Sequence, residues 1–246
     1  MRFRLPAVPA ASRPFIAEVG IVVLGVLIAL GGERLVSNYL ERQEAEFTEA
    51  ALRAELLNSA KASVERLVIE DCLRQRIAHL DAKLQREGKN WTGDPIAYPP
   101  YLFVQPTLAS VYRPMRRPWN SDVWQMAIST GMIRHIPRER VSAYSGAYQT
   151  IRRMRETNDV EYRTLPSLGP LRADGDLDPN FVADTAVALT QLDMANSTMV
   201  GNAHQFLNRL KEMNLGYTPT EAGLAEIVSD QRKIRGGCVK NIKVSF

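Results

Sequence analysis

Between Val19 and Gly32 the chain runs fourteen residues without one polar side chain, and nothing comparable occurs later in the sequence. As a helix this run is about 21 Å long at ~1.5 Å per residue, short of the ~30 Å hydrocarbon core of a bilayer. Counted from Phe15 to Val36, FIAEVGIVVLGVLIALGGERLV, the stretch has twenty-two residues and is long enough to cross. Glu18, Glu33 and Arg34 must then lie near the two interfaces, where long side chains reach the headgroups at modest cost.

Three readings fit this stretch. A retained single-pass anchor is the first. A cleaved signal peptide is the second, because Ala29-Leu30-Gly31 puts small residues where a peptidase prefers them. Against cleavage, the helical pattern continues past Gly32 with no proline or turn. The third is a pilin-like anchor, which begins at Phe and carries an early Glu. Pro14 here stands before Phe15 and Glu18 would be fourth, so both defining positions depart from the pilin pattern. The retained anchor is the expectation. Arg2, Arg4 and Arg13 precede the stretch without an acid, whereas its C-terminal flank mixes Glu33, Arg34, Glu41, Arg42, Glu44, Glu46 and Glu49. Positive charge marks the cytoplasmic side. The expected arrangement is a cytoplasmic tail over 1–14, a transmembrane anchor over 15–36 in the inner membrane, and a periplasmic or otherwise extracytoplasmic domain over 37–246.

Gly25, Ala29 and Gly32 share one helical stripe with Glu18 and Val36. Small residues at such spacing let membrane helices pack closely, although Gly and Ala are also common there for no such reason. Past the bilayer, no Pro or Gly occurs from Glu33 to Glu87, and strong helix formers dominate. Val36, Leu40, Gln43, Phe47, Ala50, Ala54 and Leu57 alternate in steps of four and three, a coiled-coil-like seam that continues the membrane helix outward. Two readings of that seam stay open, packing on the chain's own domain and pairing with another copy.

The domain after the anchor, roughly 210 residues, is long enough for one substantial core. Its charge says little about partners. The tail contributes +3 and Glu18 −1 to the formal +4, which leaves +2 for the rest. That is poor ground for expecting nucleic acid as a partner. The charge is nonetheless segregated, with nine Arg against Asp122 and Glu139 from Arg113 to Arg155, then eight acids against Arg163 and Arg172 from Glu156 to Asp193. Segments of opposite sign invite side-by-side packing; an exposed basic face would instead meet anionic headgroups or an acidic partner. The only two cysteines, Cys72 and Cys238, have no CxxC or zinc spacing. In an oxidising compartment they are expected to form one disulfide that ties the first extramembrane helix to the C-terminal tail.

The segment from Gly88 to Pro118 holds six prolines together with Tyr98, Tyr101, Phe103 and Tyr112, and is expected to be a long irregular connection with one short strand. Ser121 is placed to cap a short helix to Ser129, with Gly131 as its stop. Pro137 opens the next helix, whose face is Val141, Tyr144, Tyr148, Ile151 and Arg155, and which Pro166 and Pro170 interrupt. Asp178-Pro179 caps a helix to about Met213. Thr218-Pro219-Thr220-Glu221 reads as a capping box for the last helix, to about Arg232. Gly236-Gly237 ends it, and CVKNIKVSF alternates like a short terminal strand.

Several of these segments together resemble bacterial single-pass inner-membrane proteins that carry an N-terminal anchor and a helical periplasmic domain. The residues concerned are the EVGIVVLGVLIALGGERLV anchor, CLRQRIAHLDAKL, WNSDVWQMAISTGMI, AYSGAYQTIRRMRE and the cysteine near the C-terminus. The resemblance covers most of the chain, implies the same anchored helical architecture, and brings no activity with it.

Enzymatic patterns are thin. His79, His135 and His204 are isolated, and there is no HExxH, GxSxG or phosphate-cradling glycine loop. Asp174, Asp176 and Asp178 start like a calcium loop, but Pro179 and Thr185 stand where Gly and a bidentate Glu are needed. Glu156, Asp159 and Glu161 are candidate acid/base groups that read as surface ion pairs on an Arg-rich helix. Arg113, Arg116, Arg117, Trp119 and Trp124 form the most suggestive patch, since Arg and Trp anchor interfaces; the alternative is two core tryptophans ringed by Arg. The expectation is therefore a mainly α, membrane-anchored cell-envelope protein without a cofactor. Its partners would be the lipid bilayer and a protein partner or a second copy, met through the anchor and first helix. An envelope hydrolase or transferase with a dispersed site, and a pilin-like or sensor accessory subunit, are the alternatives.

Overall fold

The computed structural model describes residues 13–96, 111–215 and 220–242. Helix takes 81% of it and strand 2%, so the protein is mainly α, as the hydrophobic periodicity predicts. The expected tail over 1–12, the aromatics Tyr98, Tyr101 and Phe103, Thr218-Pro219, and the end of the expected terminal strand lie outside the described residues.

Helix α1, Arg13–Val68, is one 56-residue element. Its first part contains a segment long and apolar enough to cross a membrane, none of it buried against the rest of the protein. From Ala45 onward one side of the same helix enters the core, with Leu52, Leu56, Ala60, Val64 and Val68 buried. These follow the 3.6-residue repeat of a helix with one apolar face. The face is not the seam read from the sequence. Val36, Leu40, Phe47 and Leu57 are all exposed, so packing on the chain's own domain uses a different stripe. The unbroken helix expected to Glu87 is interrupted at Ile69 (φ −99°, ψ 0°), after which α2 runs Glu70–Glu87. No proline or glycine marks this break; Ile69 is fully buried.

Helix α5, Pro179–Glu212, is the centre of the bundle and packs against α1, α2 and α4, Arg138–Thr164. Its buried stripe includes Ala188, Leu192, Ala195, Met199, Ala203 and Phe206, in which the alanines allow close helix approach. The Asp178 cap forms as expected, its carboxylate accepting from the Asn180 and Phe181 amides. On α4, Tyr144, Tyr148 and Ile151 are buried and Val141 packs against the core. Gly146 sits inside α4 because a Cβ there would come within 2.6 Å of the Arg209 guanidinium of α5. Pro166 and Pro170 turn the chain into a 3-10 segment over Leu165–Arg172.

The one short strand expected after Gly88 is β1, Asn90–Trp91, paired antiparallel with β2, Gly175–Asp176. The last helix, α6, covers Glu221–Arg235, with Thr220 as its N-cap: the Thr220 hydroxyl accepts from the Gly223 amide. Gly236–Cys238 forms a 3-10 turn, and residues 239–242 carry no strand, so the terminal strand does not appear among the described residues. Cys72 and Cys238 are joined by a disulfide, with Cα atoms 5.0 Å apart. It ties the first turn of α2 to the segment after α6, the connection the two-cysteine count suggests.

Candidate functional site

The Arg/Trp patch divides in the folded molecule. Trp119 is 3% exposed and Trp124 9%. Trp124, on α3 (Asp122–Ser129), stacks on Tyr148 of α4 with ring centroids 5.1 Å apart and planes 11° from parallel. The two indoles are core, which corrects the reading of them as surface anchors. The arginines remain at the periphery but are engaged. Arg117 pairs with Glu65 of α1, and Arg116 lies 5.4 Å from the Tyr162 ring centroid. The Arg113 carbonyl accepts from Arg235 Nη1 at 2.8 Å. Burial, with Arg113 and then Arg66 adding like charge, brings the Arg235 guanidinium down to about 10.

Three carboxylates of α1 organise this region, and none was singled out from the sequence. Glu55 Oε1 accepts from the backbone amides of Asp122 and Val123 at 2.9 and 3.2 Å, and its Oε2 accepts from the Tyr148 hydroxyl at 2.7 Å. Glu55 therefore caps α3 across the fold, at the positive end of its dipole. Ser121 stands at the N-cap position but makes no side-chain cap bond. Its hydroxyl accepts from Arg155 Nη2, while Arg155 Nε also donates to the Trp119 carbonyl. Burial, reinforced by the Glu55 carboxylate, pushes the Tyr148 phenol up, so the ring donates and does not ionise. Glu49 pairs with Arg140, and Glu65 with Arg117. Two arginines of the basic segment thus pair with α1, while Arg152 pairs with Glu156 at the start of the acidic segment.

Glu161 likewise departs from the surface reading. It is 0% exposed and pairs with Arg66, 1% exposed, at 2.5 and 3.2 Å. Asn196 Oδ1 accepts from Arg66, and Asn158 Nδ2 bridges Glu161 to the Met115 carbonyl. A signal existed: Leu52, Leu56, Ser59 and Ser63 lead to Arg66 on one apolar face, and a charge there needs a buried partner. Periodicity does not name that partner.

A groove of 690 Å³ runs between α1 and the chain from Arg117 to Val123. Ala51, Ala54 and Ala62 line it, and its acidic walls are Glu55 and Glu65, whose oxygens are held by the amides, Tyr148 and Arg117 just described. It is a polar-walled cleft in which Glu55, Glu65 and Arg117 already have partners, and Lys61 and Asp122 complete its charged lining. A second groove, 550 Å³ and more apolar, lies nearer the anchor between α1 and α3, with Leu40, Phe47, Met126 and Met132 on its walls. Among the described residues no three His, Cys, Asp or Glu side chains cluster as metal ligands. His79 contacts Asp94 at 2.6 Å, and His135 lies 3.4 Å from Glu41. Asp174 accepts from the Gly93 amide and Asp178 caps α5, while Asp176 is exposed beside Lys89, so the three carboxylates do not converge on one site. In the anchor, Glu18, Gly25, Ala29 and Gly32 are exposed, and a Cβ added at Gly25 or Gly32 would meet nothing within 4 Å.

The chain matches no protein-family model, no curated protein and no solved structure.

Proposed function

We propose that this chain is a single-pass cell-envelope protein whose helical domain works by contact, as an interaction or scaffold module held close to the inner membrane. The observation that carries the reading is α1. One helix runs without interruption from an exposed apolar segment into the centre of the domain. An apolar segment of this length left open to water has the character of a bilayer span. Because the same helix is the spine of the core, the domain is held rigidly at the bilayer and not tethered by a flexible linker.

The Arg-only N-terminal flank favours a cytoplasmic N-terminus. The Cys72–Cys238 bond fits an oxidising compartment for the domain. A contact role is supported by how the conspicuous side chains are employed. Glu55, Glu65, Arg66, Arg155 and Glu161 are all spent on holding the fold together, while exposed large apolar side chains collect on α1, with two each on α3 and α5.

The test is a pair of reporter fusions after residue 40, one active only outside the cytoplasm and one only inside. Activity of the outside reporter, with the chain in the membrane fraction after alkaline washing, is the expected result. An active inside reporter overturns the orientation and the compartment together. The contact role is tested by photo-crosslinking from the exposed face of α1 in intact membranes. Discrete adducts of fixed mass are expected, and a smear or no adduct counts against it.

A further inference from the structure

Helix α1 carries two opposite faces in one heptad frame. If Leu40, Phe47 and Ala54 are the a positions, then Val36, Gln43, Ala50 and Leu57 are the d positions. The positions farthest from such a seam, f, are Ala45, Leu52, Ser59 and Arg66, and all four are buried in the chain's own domain. Their neighbours at b and c, Thr48, Glu49, Glu55 and Leu56, are buried as well. In an isolated coiled coil those positions face water. Here the domain covers them, and the a/d seam, usually the buried side, points outward with Phe47 76% exposed.

We propose that this seam is the contact between two copies of the chain, with the α1 helices side by side and parallel. The pairing rests on the anchor reading, which gives both copies the same direction and depth in one bilayer. The seam continues into the anchor through Gly32, Ala29, Gly25 and Val22 in further steps of three and four. From Glu18 to Leu57 the stripe advances about 3.55 residues per step, close to the 3.6 of a straight helix, so it stays on one side throughout. The open space above Gly25 and Gly32 is what a second helix would occupy.

Surface shape and charge agree with a second copy as the occupant. Beside the seam lies the 550 Å³ groove whose walls include Leu40, Met126 and Met132. Phe47 lies both on the seam and on a wall of that groove, so a second helix laid along the seam would cover part of it, and two-fold symmetry would make the covering mutual. The flanking positions bring no like charges together. Across a parallel pair Tyr39 meets Glu44, Glu46 meets Ala51, and Arg53 meets Asn58. The contact is ~50 Å long and one helix wide, roughly 500 Å² a side against the ~800 Å² of a standard interface. Confinement to one membrane, which raises the effective concentration, makes up the difference.

The experiment is oxidative crosslinking in native membranes of chains that keep the Cys72–Cys238 bond and carry one added cysteine, Leu40→Cys, Gln43→Cys, Phe47→Cys or Ala50→Cys. Arg42→Cys, on an exposed position off the seam, is the control. The expected result is a species of twice the chain mass at the four seam positions and little at Arg42. Phe47→Glu, combined with Ala50→Cys, lowers that species by about tenfold or more, because two charges then oppose each other in the seam. Equal crosslinking at every position including Arg42 means collision and overturns the pairing, as does a membrane-bound chain that never crosslinks. Adducts of another mass overturn it in favour of a different partner. A chain found in the soluble fraction fails the anchor reading instead, so the two failures are told apart. Since Phe47 is outside the core, an unchanged thermal unfolding curve for Phe47→Glu shows that the domain is intact.

Discussion

Arg66 and Glu161 form the one fully buried ion pair among the described residues, with Asn196 accepting from Arg66 and Asn158 donating to Glu161. Such a pair is weak evidence of net stability, but removing one member strands the other charge in the core. Glu161→Gln is expected to destabilise the domain by about 3–5 kcal/mol, read from urea unfolding. The double change Arg66→Met with Glu161→Leu should cost distinctly less, and equal losses would contradict the argument. Ser121 and Glu55 make a second contrast at this scale. Sequence rules name Ser121 as the cap of α3, whereas Glu55 supplies the acceptor for its first amides and for Tyr148. Glu55→Ala is expected to cost about 1–3 kcal/mol and Ser121→Ala under about 1. Circular dichroism melts of the two variants decide between them, and the reverse order would restore Ser121 as the cap.

Among the elements, α2 is tied by polar contacts to the chain that follows it at Asp94. Arg76 of α2 donates to Asp94 Oδ1 at 3.0 Å and to the Asp94 and Val111 carbonyls, so it grips the chain on both sides of 97–110. Burial raises the Asp94 carboxyl, but hydrogen bonds from His79 and Arg76 outweigh it and leave the group below its ordinary value. A carboxyl lowered on folding stabilises above its unfolded value of ~3.9, and that contribution is lost as pH falls through the folded value. Wild type should therefore lose stability below pH ~4 more steeply than Asp94→Asn. Melting temperatures between pH 5 and 2 give the comparison, and parallel curves would remove Asp94 from the acid response. Helices α1, α4 and α5, with their 3.6-residue stripes and the Asp178-Pro179 start, were legible from local chemistry. The break at Ile69 was not, because no proline, glycine or cap announces it and its setting is the buried core.

For the whole molecule, the disulfide joins positions 166 apart, so the chain from the first turn of α2 through α6 lies inside one covalent loop while α1 stays outside it. Loop-closure arguments put its contribution at about 3–5 kcal/mol. Replacing both cysteines by serine should lower the unfolding free energy by that amount, read as a lower denaturant midpoint, and speed amide exchange first in α6 and residues 236–242. An unchanged midpoint and exchange pattern would show that the bond stabilises nothing. The membrane-length apolar run, the mainly helical class, the Asp178 cap and the cysteine pairing follow from the sequence alone, because each depends on neighbours within a few turns or, for the cysteines, on a count of two. Which face of α1 turns inward depends on what packs against it. Two stripes of that helix had the spacing of a core face, and only contact with α3, α4 and α5 selects the one through Leu52 and Leu56, which leaves Phe47 outside. The same holds for Trp119, Trp124 and Glu161. Their types permit surface or interior, and burial was decided by partners on other elements, Tyr148 for Trp124, Arg155 for Trp119 and Arg66 for Glu161, beyond the reach of local pattern.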